Sequence, residues 1–378
     1  MALGNTVSAA ALRPEIWGKE VWKNVMDNMY FTKAGLMGEG DNNIIQVKSD
    51  LVKSNGDTIT IPLTAKLTGN GVTGDAELEG QEEKINAYSD SIVISKKRFA
   101  VRLTGSLDEQ MNAYDMRQDA KNKLSIRLQE FIEQQLFLKL GGVTNTALTD
   151  VAGNVVGTDC TWSNTANEVG NTASAAGYGT RYLCADYTSG ATSLAATDLL
   201  TPELISRARI KAVSKGTSGM PVMNPLRING GSYFVLFIHP WQAFDLKNNA
   251  TFAQAMREAQ VRGSENPIFT GSLGIWDGVI IKEHPYCPFL DVSVAGDSFE
   301  TGTSNTDYAV DTFRALLCGQ QAGLMAKAGK SDKMVEKLFN YDDQVGFAVS
   351  FMGGIDKVTF NSTDYGVISI DTAATALV

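Results

Sequence analysis

The chain has 378 residues, 43% hydrophobic and 20% charged, with a net charge of −9 and a pI near 4.9. That length accommodates two or three domains with a sizeable core, and the acidic balance argues against non-specific nucleic-acid binding by the whole surface while leaving room for a local basic patch. No run approaches the about 18 apolar residues of a membrane span, and Met1-Ala2-Leu3-Gly4-Asn5 lacks the basic and apolar regions of a secretory signal.

Residues 1 to 12 read as a flexible tail. Pro14 suits the first position of a helix running to about Tyr30. Its stripe of Ile16, Trp17, Val21, Trp22, Val25, Met26, Met29 and Tyr30 fits either a helix packed on its own core or an arm docking on an adjacent subunit through Trp17, Val21 and Trp22. Gly35, Gly38 and Gly40 break the chain. Asn43 to Lys53 then reads as a strand or extended connector.

The chain is organised around residues 57 to 140. In the outgoing run, Asp57 to Leu67, Ile59, Ile61, Leu63, Ala65 and Leu67 share one face. In the return run, Ser91 to Thr104, Ile92 and Ile94 share a face before parity switches to Phe99, Val101 and Leu103. The switch predicts a bulge at Lys96-Lys97. Lys96, Arg98 and Arg102 project from the other side. The tip between carries Asp75, Glu77, Glu79, Glu82 and Glu83 against Lys84, with several turn glycines. A lone hairpin is marginal in water, so this one needs cover from its own body or another subunit.

One long helix is expected from Ser106 to about Leu140. Ser106 and Glu109 form a capping box, and Gly141-Gly142 stops the helix. Some 34 residues would span about 50 Å. Arg117, Lys121, Lys123 and Arg127 cluster on it, offset by Asp115 and Asp119. Asp119 can pair with Lys123 at i,i+4. This is either a salt-bridged exposed face or a modest cationic patch toward nucleic acid.

Residues 142 to 196 are polar and Gly-rich, as in an insertion or surface loop. A basic helix follows from Thr201, with Pro202 at its first position, to before Gly216. Tyr233 to Pro240 is a continuous apolar run, as in a fully buried strand, followed by helices over Trp241–Lys247 and Thr251–Val261. Gly278 to His284 is another strand, and Ala309 to Cys318 is apolar. Gly346–Met352 and Lys357–Asn361 read as strands joined at Gly353-Gly354, and Val367–Ile370 closes the series.

Catalytic signals are weak. His239 and His284, the two histidines, each end an apolar strand, but no nucleophile elbow or H-E-x-x-H accompanies them. Gly69 to Gly74 spells G-x-G-x-x-G inside a hairpin tip and opens no helix. The acidic tip lacks EF-hand spacing. Cys160, Cys184, Cys287 and Cys318 form no C-x-x-C pair, so zinc is not supported and free thiols are expected, with Cys160 and Cys184 placed to meet across one loop. No cofactor, metal or enzymatic activity is expected.

The order of N-terminal arm, hairpin, long helix and mixed α/β body resembles the HK97-like α+β fold of tailed-phage major capsid proteins. Stretches resembling the N4-like phage branch include Gly56-Asp57-Thr58-Ile59-Thr60-Ile61-Pro62-Leu63, Leu78-Glu79-Gly80-Gln81-Glu82-Glu83, Phe237-Ile238-His239-Pro240, Gly319-Gln320-Gln321-Ala322 and Asp364-Tyr365-Gly366-Val367. The resemblance implies a shell subunit with an N-terminal arm (1–52), an E-loop hairpin (53–104), a peripheral domain with its spine helix (105–150), a polar insertion (151–196), an axial domain (197–335) and peripheral return strands (336–378). It implies hexamers and pentamers in an icosahedral shell around double-stranded DNA, assembled in the host cytoplasm. Portal and decoration proteins are implied as partners, with a separate scaffolding protein, and no membrane. The crosslink of some relatives is not expected, although Lys66, Lys84 and Asn361 are present. The alternatives are an encapsulin-like compartment with protein cargo and a hydrolase using His239 or His284.

Overall fold

The computed structural model describes residues 25–51, 56–64, 71–74, 77, 79–80, 82, 84–85, 87–112, 115–143, 181–186, 193–214, 222–228, 230–258, 273–290, 309–328, 334–341, 343–360 and 363–375. Residues 25–28 are helical. Then follow α1 (Tyr30–Lys33), β1 (Met37–Gly38), β2 (Ile45–Leu51), β3 (Thr58–Thr64), β4 (Ala87–Val93), β5 (Ser95–Arg102), α2 (Ser106–Met111) and the spine α3 (Met116–Leu140). The second half holds β6 (Tyr182–Cys184), α4 (Pro202–Val213), β7 (Leu226–Ile228), β8 (Gly231–Ile238), α5 (Pro240–Asn248), α6 (Ala250–Glu258), β9 (Gly274–Trp276), β10 (Val279–Glu283), β11 (Phe289–Leu290) and β12 (Thr312–Cys318). The chain closes with β13 (Gly323–Ala328), β14 (Met334–Phe339), β15 (Gln344–Lys357), β16 (Thr359–Phe360), β17 (Thr363–Asp364) and β18 (Val367–Thr372).

Two sheets flank the spine. The first runs β1-β2-β13-β15-β14, with β5 also on β15; the second runs β6-β18-β12-β8-β10-β9, with β7 and β11 added at β8 and β12. The second sheet explains its own sequence. Val235 and Phe237 join the spine-side core, whereas Phe234, Leu236 and Ile238 join the core under α4, α5 and α6. A strand buried on both faces must be apolar throughout. Phe31, Phe137 and Phe237 meet with centroids 5.0 to 5.6 Å apart, locking α1, α3 and β8 together. Glu133 strengthens the joint, because its Oε1 accepts the Tyr30 N–H, an orphan donor at the start of α1, at 2.7 Å.

The single long helix is corrected to two. One helix ends at Met111 and the next starts at Met116, and Asp115 is the N-cap of the spine: its Oδ1 accepts from Arg117 N at 3.0 Å and Gln118 N at 3.1 Å. Leu107 and Met111, which seemed to extend the core stripe, are 70% and 76% exposed. The spine's 25 residues give about 37 Å rather than about 50 Å. Its end is as expected. Gly142 takes φ +65°, Gly142 N bonds Lys139 O and Val143 N bonds Leu138 O, the paired bonds of a Schellman stop. Asp115→Ala should cost about 1 kcal/mol and Asp115→Ser only a few tenths. Urea unfolding reads both, and an unmoved midpoint in the alanine variant would show the cap to be idle.

The return run is also two strands. β4 pairs with β3, Ile92 opposite Ile59, whereas β5 pairs with β15. Parity therefore reverses at Ile94, where the partner changes, not at Lys96-Lys97. Lys97 falls on the spine side, 5.5 Å from the Phe131 ring centre. Gly353-Gly354 is no joint either: β15 runs straight through it. At Gly353 a Cβ would lie 2.4 Å from Ala326 O, so glycine lets β13 and β15 close together as β15 leaves β5.

Strand pairing joins segments from different expected domains. β13 and β14 belong to the first sheet with β15, and β18 returns to the second, between β6 and β12. Within the expected polar insertion, β6 is a buried edge strand parallel to β18. The remainder of that insertion, apart from 181–186 and 193–196, lies outside the described residues, as does Cys160; Cys184 is a buried free thiol. These pairings join residues as distant in sequence as Ile45 and Gly323, or Tyr182 and Ser369, which local periodicity does not register.

Candidate assembly surfaces

The hairpin root sits on its own body. Ile59 and Ile92 pack with Val358, Phe360 and Tyr365, and Asp90 Oδ2 accepts Thr359 N at 2.8 Å. Burial raises the Asp90 carboxyl above its ordinary range. Farther out the surface changes. Ile85 is 69% exposed, and Glu77, Glu79 and Glu82 are exposed, Glu82 Oε2 accepting Gly80 N at 2.7 Å. Asp75 and Glu83 lie outside the described residues.

The structure places Lys96, Arg98 and Arg102 on one exposed face of β5, with Phe99 and Val101 turned toward the spine. Arg102 is positioned from two sides: its guanidinium lies 4.6 Å from the Phe339 ring centre and donates to Gln344 Oε1. Lys337 stands 4.9 Å from the same ring. Lys337 was not singled out in the sequence, because only the β14–β15–β5 pairing brings it near β5.

The four spine cations differ in their surroundings. Lys121 lies 4.8 Å from the Phe347 ring centre, and Arg127 5.8 Å from that of Phe99, both against the first sheet. Lys123 pairs with Asp119 at 2.9 Å, the expected i,i+4 contact, and Arg127 approaches Glu130 at 3.7 Å. Arg117 is exposed at the N-terminal end. Of the N-terminal stripe, Val25 and Met29 are buried in the spine-side core, while Trp17, Val21 and Trp22 lie outside the described residues. The C-terminal end of that stripe is thus part of the chain's own core.

Both histidines are built into the framework. His239 is the N-cap of α5: its Nδ1 accepts Trp241 N at 3.4 Å, and its N–H donates to Gln242 Oε1 at 3.1 Å. His284 Nδ1 accepts Tyr286 N at 3.2 Å, and its ring stacks on Phe137 with centroids 4.4 Å apart. Burial lowers each imidazole to about 4. A catalytic base needs a pKa near its working pH and an approachable lone pair, and these two use Nδ1 on the backbone. Among the described residues, no cluster of three or more His, Cys, Asp or Glu side chains is placed to hold a metal ion. No helix among them is long and apolar enough to cross a membrane.

The comparisons with known proteins agree over the whole length. The profile of the family described as phage capsid protein matches residues 16–376. The major capsid protein of Pseudomonas phage KPP25 is 27% identical over 386 aligned residues, covering 98% of this chain and 98% of that protein. The capsid of Ralstonia phage GP4 shares the fold with a TM-score of 0.71 at 24% identity, covering 100% of this chain and 99% of that one. The cyanophage Pam1 capsid does so at 0.72 and 24%, covering 99% and 100%. With its mixed α+β, HK97-like architecture matched from end to end, the chain belongs to the phage capsid protein family.

Proposed function

We propose that this chain is the major subunit of an icosahedral phage head of the N4-like branch, closing on itself as hexamers and pentamers around double-stranded DNA. The observation that carries this reading is the hairpin. Its root is fastened to the body at Thr359 and Val358, while the segment between its two strands carries exposed Ile85 and three exposed carboxylates. Such a hairpin gains cover from a neighbour, and the cations on β5 offer the complement. The first sheet with the spine takes the peripheral role, and the second sheet with α4 to α6 takes the axial role. Trp17, Val21 and Trp22 form an arm on an adjacent subunit. Arg117 and Lys123 are the spine residues that face DNA non-specifically. Decoration, portal and scaffolding proteins complete the head, which assembles in the host cytoplasm without enzymatic work by this chain.

Electron microscopy of the chain expressed alone tests the reading: closed shells or capsomer rings are expected, and monomers at every concentration would overturn it. Reversing Glu82 and Glu83 to Lys should leave the subunit folded but cut shell formation, most at low salt where charges act farthest. Normal shells at low and high salt alike would remove the tip from the assembly contact.

A further inference from the structure

Two late segments carry the chain between its sheets. Gly319 to Ala322 leads from β12 to β13, and Val358 to Gly366, with β16 and β17, leads from β15 to β18. The two crossings lie side by side. Gly319 N donates to Gly366 O at 2.8 Å, and Val358 N to Ala322 O at 3.2 Å. A Cβ on Gly366 would lie 2.7 Å from Gln320 O and 2.8 Å from Ala322 Cα, so glycine lets them touch.

They are fastened differently. The second crossing is held from within: Lys357 Nζ lies 3.1 Å from Asp364 Oδ1 with neither side chain exposed, and Arg181 Nε donates to Asp364 O at 3.0 Å. The first is held by amides. Gln320 N donates to Asn224 O and Gln321 N to Asn43 O, each at 2.8 Å. Exposed Asn42, in the loop before β2, gathers the contacts. Its Nδ2 donates to Arg227 O at 2.9 Å and its Oδ1 accepts Arg227 N at 2.8 Å, so the side-chain amide stands on β7 where a strand partner's peptide would. The same Oδ1 accepts Gln320 Nε2 at 2.7 Å. Beside it, Asp41 Oδ1 accepts Gln46 Nε2 at 2.9 Å and Gln321 Nε2 at 3.2 Å. Gln321 itself has φ +52°, a left-handed conformation that a non-glycine residue keeps only where its surroundings over-determine it. Since β2 belongs to the first sheet and β7 to the second, Asn42 ties one sheet to the other and to the crossing between them. A buried ion pair makes a pivot, and exposed hydrogen bonds beside it make a clasp that opens more easily. The hairpin is mounted on the pivot, through Asp90 on Thr359 and through Ile59 and Ile92 on Val358, Phe360 and Tyr365. Its direction relative to the second sheet therefore follows the angle at this joint.

We propose that Asn42 is a positioning residue for assembly: its clasp fixes the angle between the two sheets, with it the direction of the hairpin, and so the curvature of the shell. The proposal rests on the assembly reading above and deepens it.

The test uses Asn42→Ala, which removes the clasp, and Asn42→Asp, which keeps Oδ1 toward Arg227 N and Gln320 Nε2. In unassembled subunits, hydrogen exchange at Arg227 should quicken by roughly tenfold in the alanine variant, the size of one hydrogen bond. Nitroxide labels at Ser89→Cys on β4 and Ile275→Cys on β9, both exposed, with Cys160→Ser, read the distance from hairpin to second sheet. That distance should shift or broaden in Asn42→Ala and return in Asn42→Asp. By electron microscopy, Asn42→Ala shells should change in diameter and Asn42→Asp shells should match the wild type. A residue that only stabilised the fold would lower the urea midpoint and the yield and leave the diameter alone. An unchanged diameter, or an unchanged label distance, overturns the proposal and leaves the assembly reading standing. If the wild type forms no shells while Asn42→Ala shifts the label distance, the clasp stands and the assembly reading falls.

Discussion

Replacing Asp371 by Asn should destabilise the subunit by about 3–5 kcal/mol, the cost of leaving a buried charge without its counter-ion. Arg314 and Asp371 are directly opposed on β12 and β18, and neither side chain is exposed. The guanidinium donates from Nε to Oδ1 and from Nη2 to Oδ2, both at 2.8 Å. Its Nη1 donates to Gly141 O at 3.0 Å, and Tyr182 Oη donates to Asp371 Oδ2 at 3.0 Å. One carboxylate thus gathers β12, β18, β6 and the C-terminal end of the spine. Burial, with the Asp371 charge beside it, pushes the Tyr182 phenol well above its ordinary value, so it remains a donor throughout the accessible pH range. Asn keeps the shape but places an N–H where one guanidinium N–H needs an acceptor. The Arg314→Met, Asp371→Leu double variant combined with Tyr182→Phe should recover part of the loss, since apolar groups of similar volume avoid the desolvation penalty and leave only Gly141 O without its partner. Urea unfolding of unassembled subunits reads both variants. A loss below about 1 kcal/mol for Asp371→Asn would mean that water or a rearranged Arg314 satisfies the site.

This ion pair also marks where sequence reasoning stops. The hairpin, the Gly141-Gly142 stop, the two-faced apolar strand at Tyr233–Ile238 and the Asp119–Lys123 pair were legible because each is set by residues within a few positions of one another. The break before Met116 was obscured, since Leu107 and Met111 keep the helical spacing across it and only the Asp115 cap marks it. The shift of parity at Ile94, the return of β18 to the second sheet and the burial of β6 depend on partners far along the chain. The same holds for the candidate surface. The β5 cations and the acidic tip follow from strand alternation and composition. Lys337 and the clamped Arg102 come together only once β14, β15 and β5 are paired. The surroundings of the four spine cations were not legible, because sequence proximity on a helix spreads side chains around it and two of them lie beside aromatic rings of the first sheet.

Acid should weaken the folded subunit through its two histidines. The unfolded chain takes a proton on each near 6.5, whereas the folded imidazoles are held down to about 4 by burial. Between those values the unfolded state binds more protons, so stability present above pH 6.5 is lost as pH falls toward 4, by about 3 kcal/mol for each histidine. Asp364 acts in the opposite sense. Burial raises it to about 6 despite Lys357 Nζ at 3.1 Å, so the folded state holds the extra proton between about 4 and 6 and gains stability on acidification, offsetting about one histidine. The net expectation is a loss of about 3 kcal/mol from pH 6.5 to 4. His239→Asn isolates one contribution: asparagine is a competent N-cap acceptor for Trp241 N but does not titrate, so the variant should lose less stability than the wild type over the same interval. NMR of the folded chain, which has only these two histidines, gives the direct test, and an imidazole titrating near 6.5 would remove its contribution. The sign itself carries the structural argument, because an Nδ1 that accepts a backbone N–H must be unprotonated. Acid therefore opposes the same lone pairs that start α5 at His239 and hold the turn at Tyr286.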